Sequence, residues 1–218
     1  MKFDSVVFDL DGTLLDTLGD LRDSVNFSLE KNGLPKRTTE EIRSFVGNGI
    51  RLLIERAVPE NTSVEITDKC FSDFKEYYKD HSAILTRPYG GIIDLLVTLQ
   101  EKGVKIAVVS NKADFAVKTL MEDYFNGLYD CAYGERAGVE RKPAPDSVLA
   151  AISEMGAELE NTVYVGDSEV DVETSKNAKL PCIAVTWGFR DKMVLESLNP
   201  EYIVDSPSDI LEIIERGN

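Results

Sequence analysis

With 218 residues, 43% hydrophobic and 29% charged, the chain is long enough to bury a substantial core, as one large α/β domain or a core with an insertion, and its ordinary composition excludes a low-complexity protein. A formal net charge of -15 argues against nucleic acid and anionic membrane as partners, because the long-range field repels both. No apolar run approaches the roughly 20 residues that cross a bilayer, Met1-Lys2-Phe3-Asp4 lacks the shape of a signal peptide, and Cys70, Cys131 and Cys182 have no metal-type spacing, so they read as reduced thiols of a cytoplasmic protein.

The first element is a strand over residues 3–9, whose β-branched run Val6-Val7-Phe8 ends in Asp9-Leu10-Asp11-Gly12-Thr13. Helical spacing follows: Leu18, Leu21, Val25 and Leu29 recur until Gly33 and Pro35 stop the segment. Thr38-Thr39-Glu40-Glu41 has the form of a capping box, Gly47-Asn48-Gly49 interrupts the helix it opens, and a new stripe of Ile50, Leu53, Ile54 and Ala57 runs to Pro59. Thr62-Ser63-Val64-Glu65 then caps a long helix with Ile66, Cys70, Phe74 and Tyr77 on one face, and Tyr77, Tyr78, Phe71 and Phe74 are expected to form a local core.

Beyond residue 86 the pattern alternates. A helix with Ile92, Leu95, Leu96 and Leu99 precedes a strand over 104–109 ending in Ser110-Asn111, then come a helix over 113–122 and a weaker strand near 128–132. Pro143 fits the first position of a helix carrying Val148, Leu149 and Ile152. Strands at 162–165, 182–186 and 202–204 alternate with helices at 169–178 and after Pro207. The expected fold is α/β, a doubly wound, mostly parallel sheet with ligands at the carboxyl ends of its strands. The lone first strand must pair with strands beyond residue 100, so residues 1–15 and 87–218 form the core and 16–86 an inserted helical cap, most simply above the strand ends.

Four strand ends therefore bring polar groups to one edge. Asp9 and Asp11 lie two apart, so both can face one reaction centre while Leu10 turns away. One carboxylate can attack phosphorus while the other exchanges protons with the leaving oxygen and with water. Taken alone, Asp-Leu-Asp-Gly is equally a loop closure or a calcium turn. Ser110 and the Asn111 amide can hold phosphate oxygens. Lys142, placed before a helix start, can supply the cation that an anionic ester needs in so acidic a protein. Asp167 and Asp171 in Gly166-Asp167-Ser168-Glu169-Val170-Asp171 add hard oxygen donors suited to Mg2+. The simpler alternative for Asp171 is that it only favours its helix N-terminus.

These four segments, in this order, resemble the motifs of the haloacid dehalogenase-like hydrolase superfamily. The cap run Ser44-Phe45-Val46-Gly47-Asn48-Gly49 and the core run Thr186-Trp187-Gly188-Phe189 are similar to its phosphoglycolate phosphatase-like branch. The resemblance implies that Asp9 is the nucleophile forming an aspartyl-phosphate and Asp11 the general acid and base. It implies that Ser110 and Asn111 bind the phosphoryl group, with a weak contact from Thr13, and that Lys142 neutralises Asp9 and that group together. Asp9, the Asp11 carbonyl and Asp167 would ligate Mg2+, with Asp171 behind them. The implied function is a phosphomonoesterase for a small phosphorylated metabolite, 2-phosphoglycolate first. The alternatives are a β-phosphoglucomutase-like phosphomutase, a pyrophosphatase or nucleotidase of the same superfamily, and a silent Asp-phosphorylated regulator. A dehalogenase should lack Asp11. His81 is expected to be an exposed hinge neighbour without a partner, and Trp187 to pack; monomer and homodimer stay equally open.

Overall fold

A computed structural model describes residues 2–216 of the chain. Strand β1 (Ser5–Phe8) is buried along its whole length, as an apolar run with neighbours on both sides requires. The short β2 (Leu15–Asp16) leads into α1 (Leu18–Lys31), α2 (Thr39–Phe45), α3 (Gly49–Ala57) and α4 (Val64–His81), and β3 (Arg87–Pro88) pairs with β2 where the chain returns. The alternating part contains α5 (Ile92–Glu101), β4 (Lys105–Ala113), α6 (Asp114–Phe125), β5 (Cys131–Glu135), α7 (Asp146–Met155), β6 (Thr162–Gly166), α8 (Glu169–Ala178), β7 (Cys182–Val185), α9 (Lys192–Ser197), β8 (Tyr202–Val204) and α10 (Pro207–Arg216). Two compact units result: the chain up to Leu15 together with that from Pro88 onward, and Asp16–Arg87.

In the first unit six parallel strands run in the order β5-β4-β1-β6-β7-β8. Side chains alternate across this sheet. Val6, Phe8, Ile106, Val108, Val163 and Val165 meet α5, α6 and α10 in one cluster, while Val7, Ala107, Val109 and Tyr164 meet α7 in another. Strand order reverses at β1, so its carboxyl end lies between those of β4 and β6, where an open α/β sheet forms its crevice.

In the second unit, Thr38 and Glu41 close the expected capping box: the Glu41 N–H donates to Thr38 Oγ1 at 3.2 Å and the Thr38 N–H to Glu41 Oε2 at 2.7 Å. Ser63 accepts from the Ile66 N–H and caps α4. The buried face of α4 is Thr67, Cys70, Phe74 and Tyr78, one residue round from the expected stripe, and leaves Ile66 at the surface. Phe71 is only partly buried and carries Arg51 and Lys75 over its ring, so it is not core. Tyr77 stacks between Phe27 and His81, and His81 Nδ1 lies 2.8 Å from the Tyr77 carbonyl oxygen, so this histidine does have a partner.

Three boundaries in the first unit also move. Helix α7 begins at Asp146, three residues past Pro143, because a turn closed by the Ala144 N–H on the Arg141 carbonyl comes first. The strand expected near 128–132 is β5 at Cys131–Glu135, since Leu128 closes a turn on Phe125 and Asp130 instead caps the Ile106 N–H. Strand β4 runs through Ser110 and Asn111 to Ala113, past its apolar run. Among the described residues no helix is long and apolar enough to cross a membrane.

Candidate active site

Asp9 is the first residue beyond β1, and its N–H still donates to Val165 at 2.9 Å, so the ladder with β6 fixes its backbone. Leu10 points into the core and Asp11 emerges half-buried. Gly12 then turns the chain with φ +94, a conformation favouring glycine. A Cβ there would also come within 2.7 Å of Asp167 Cγ, so glycine lets the first motif close on the fourth. Thr13 is buried, and its hydroxyl donates to Asp167 Oδ1 at 3.4 Å.

Lys142 joins two of these strand ends. Its ammonium, 4% exposed as a residue, donates to Asp9 Oδ1 at 2.6 Å, to Asp171 Oδ1 at 2.8 Å and to the Tyr164 hydroxyl oxygen at 2.9 Å. Burial alone would favour the neutral amine, but Asp171 and Asp9 outweigh it and hold the lysine pKa well above its usual range. The positive charge at this edge therefore comes from the side chain in contact with carboxylates, whereas α7, expected to start beside it, begins later. Asn111 fixes the lysine's backbone, donating from Nδ2 to the Lys142 carbonyl at 3.0 Å.

The carboxylates around Lys142 are unequal. Asp171 Oδ1 accepts from Lys142 and from Tyr164, and its Oδ2 accepts from the Ser168 hydroxyl at 2.6 Å and from the N–H groups of Ser168 and Asp167. Burial works to raise its pKa, but Lys142 and these donors overcome that and lower it. Asp167 has fewer donors, chiefly the Phe189 N–H at 2.6 Å, and burial with Asp171 and Asp9 nearby drives its pKa well up. Asp9 is raised to about 7, first by burial, against the pull of Lys142 and with repulsion from Asp171. The cluster thus holds more negative charge than its donors balance.

Carboxylate oxygens of Asp9, Asp167 and Asp171 lie within 4.8 Å of one another, and all three residues are buried. This is a hard oxygen set of the kind Mg2+ takes, and the raised Asp9 and Asp167 mark the charge such an ion would balance. Asp171, with both oxygens engaged, is better suited to orient than to ligate.

A second group forms around Asp11. Ser110 Oγ lies 3.4 Å from Asp11 Oδ2, and Lys112 Nζ donates to Asp11 Oδ1 at 2.7 Å. Lys112, Tyr164 and the Phe189 N–H were not among the candidates drawn from sequence. Only Lys112 had a usable signal: it lies two residues beyond Ser110, on the same side of an alternating strand.

Comparison with known proteins places this arrangement. The pattern of the family described as haloacid dehalogenase-like hydrolases matches residues 6–185. The chain belongs to that family. A phosphoglycolate phosphatase of Aquifex aeolicus is 30% identical over 211 residues, 96% of each chain. Phosphoglycolate phosphatase 1 of Pseudomonas aeruginosa is 34% identical over 218 residues, covering 97% of this chain and 80% of that one. A solved structure from Lactobacillus delbrueckii subsp. bulgaricus superposes with a TM-score of 0.93 at 37% identity, covering 98% of this chain and 99% of the other. Within the haloacid dehalogenase-like hydrolases the chain falls in the phosphoglycolate phosphatase-like branch, and it is a phosphatase.

Proposed function

We propose that this phosphatase hydrolyses a small phosphate monoester, 2-phosphoglycolate first, through an aspartyl-phosphate on Asp9 and with Mg2+ as its cofactor. The observation that carries the reading is the ion pair of Lys142 with Asp9, at a strand end where a second carboxylate, Asp11, follows two residues later. Asp9 attacks phosphorus, the ester P–O bond breaks, and the departing oxygen takes the proton of Asp11. Water then attacks the acyl phosphate, Asp11 receives the water's proton, and inorganic phosphate leaves with Asp9 restored.

Lys142 orients Asp9 and favours its ionised form against the effect of burial, and it faces charge that grows on the transferring group. Ser110 and the Asn111 N–H would hold phosphoryl oxygens. Asp9, the Asp11 carbonyl and Asp167 would hold the metal, which supplies Lewis-acid neutralisation of the phosphoryl oxygens. Asp171 keeps Lys142 and the Asp167 backbone in place. The names of relatives spanning almost the whole chain support 2-phosphoglycolate as the first substrate to test.

The purified protein is expected to release phosphate from p-nitrophenyl phosphate and, faster, from 2-phosphoglycolate, in a Mg2+-dependent manner. Rapid-quench experiments should trap an acid-stable phosphoenzyme that Asp9→Asn lacks. Conversion of β-glucose 1-phosphate without phosphate release would make it a mutase, and stable phosphorylation without turnover a regulator.

A further inference from the structure

We propose that Lys112 is a positioning residue that holds Asp11 for its proton transfers, an inference that rests on the reaction proposed above. The Lys112 side chain is 4% exposed, an unusual state for a lysine unless its ammonium has a partner. That partner is Asp11 Oδ1 at 2.7 Å. The backbone of Lys112 contributes as well: its N–H donates to Ser110 Oγ at 3.2 Å, and Ser110 Oγ in turn lies 3.4 Å from Asp11 Oδ2. One residue therefore restrains both carboxylate oxygens, one directly and the other through the serine.

The strand is shaped for this. Val109 faces Tyr133 on β5, yet Ala113 faces Glu135, so the register shifts across residues 110–112. Such irregularities re-aim side chains beside active sites. The neighbouring strand presses on the same segment: a Cβ on Gly134 would lie 2.6 Å from the Lys112 carbonyl oxygen, and the Gly134 N–H donates to Asp114 Oδ1 at 3.0 Å. The backbone that carries Lys112 is thus clamped. An acid that must reach a leaving oxygen and later a water within about 2.6–3.2 Å gains from such restraint, since misplacement by about 1 Å can cost roughly 10²-fold in rate.

The test is a double-mutant cycle with Lys112→Met and Asp11→Asn, read as kcat/KM on 2-phosphoglycolate and on p-nitrophenyl phosphate, with the Ki of inorganic phosphate beside it. Lys112→Met should lower kcat/KM on 2-phosphoglycolate by about 10²-fold, approaching the cost of misplaced groups. The loss on p-nitrophenyl phosphate should be smaller, because its phenolate leaves without a proton. The Ki of phosphate should change less than about threefold, and Lys112→Met should add little to Asp11→Asn, as expected for groups acting as a unit. Lys112→Arg retains the cation, should recover part of the loss, and keeps the test decisive if the Met variant does not fold by circular dichroism. Additive losses in the cycle, equal losses on both esters, or a Ki that rises with the loss would each overturn the inference. A wild type inactive on both esters, or an Asp11→Asn variant as active as wild type, would instead overturn the reading of the site and this inference with it.

Discussion

Both units bury an aspartate, and the two cases differ in how the charge is met. Asp20, in the first turn of α1, is 3% exposed and accepts from the N–H groups of Ile84, Leu85 and Thr86 and from the Thr86 hydroxyl, at 2.7–3.0 Å. Its donors are neutral, and they tie α1 to the segment that leaves the helical unit. Asp9 and Asp167 at the strand ends share their surroundings with Asp171 and with each other, and both are pushed up in pKa. A buried carboxylate with enough donors is a structural clip. A group of carboxylates without enough donors is one that a cation can complete. Asp171, fully engaged on both oxygens, belongs with Asp20 by this measure although it stands beside Asp9.

The contrast breaks most severely on Lys142, the cation that holds the strand-end group together. Lys142→Ala should reduce kcat by about 10²–10³-fold, the scale of losing one stabilising group at developing charge. It should also destabilise the fold by about 3–5 kcal/mol, because Asp9 and Asp171 are left buried without their cation. Urea unfolding and steady-state kinetics read the two effects separately. Asp20→Ala should lower stability by about 2–3 kcal/mol, the range for hydrogen bonds to a charged group. It should leave the Mg2+ response of the strand-end group as in wild type, measured as the metal-induced change in urea midpoint.

The smallest effect concerns pH. Asp9 has a folded-state pKa of about 7 in the metal-free protein, against an ordinary value of 3.8. Between those values the folded state binds the extra proton, so the contribution of Asp9 to stability falls as pH rises through about 7. Metal-free wild type should therefore lose more urea midpoint than Asp9→Asn between pH 5 and 8, and Mg2+ should shrink that difference by favouring the ionised form. Equal pH slopes with and without the Asp9 carboxyl would mean that its proton is not held as described.

Much of the site was readable because strand ends carry their chemistry in short runs. Asp9, Asp11, Ser110, Asn111, Lys142, Asp167 and Asp171 each follow an apolar strand or precede a helix, and strand alternation plus the order of elements brings them to one edge. What could not be read depends on local register and phase. Lys112 is spaced two residues from Ser110, but that spacing does not tell that it is buried against Asp11, in the stretch where β4 shifts register against β5. Tyr164 read only as a strand residue, and its hydroxyl matters because the sheet face it points to also receives Lys142. Asp20 gave no signal, because its donors come from residues 84–86, more than sixty positions away. The buried face of α4 is turned by one residue from the hydrophobic stripe, with Thr67 and Tyr78 inside where Ile66 and Tyr77 are expected, so the hydrophobic ranking of its residues does not set the phase.

The central claim is that the strand-end carboxylates form an unbalanced charge completed by a metal ion, and a Mg2+ titration followed by thermal unfolding tests it most directly. In wild type, Mg2+ at about a hundred times its Kd should stabilise the fold by about 2.7 kcal/mol. The gain should vanish in Asp167→Ala and persist in Asp20→Ala. A full Mg2+ stabilisation in Asp167→Ala would contradict the account, because the ion would then be held somewhere other than the edge where β1 and β6 end.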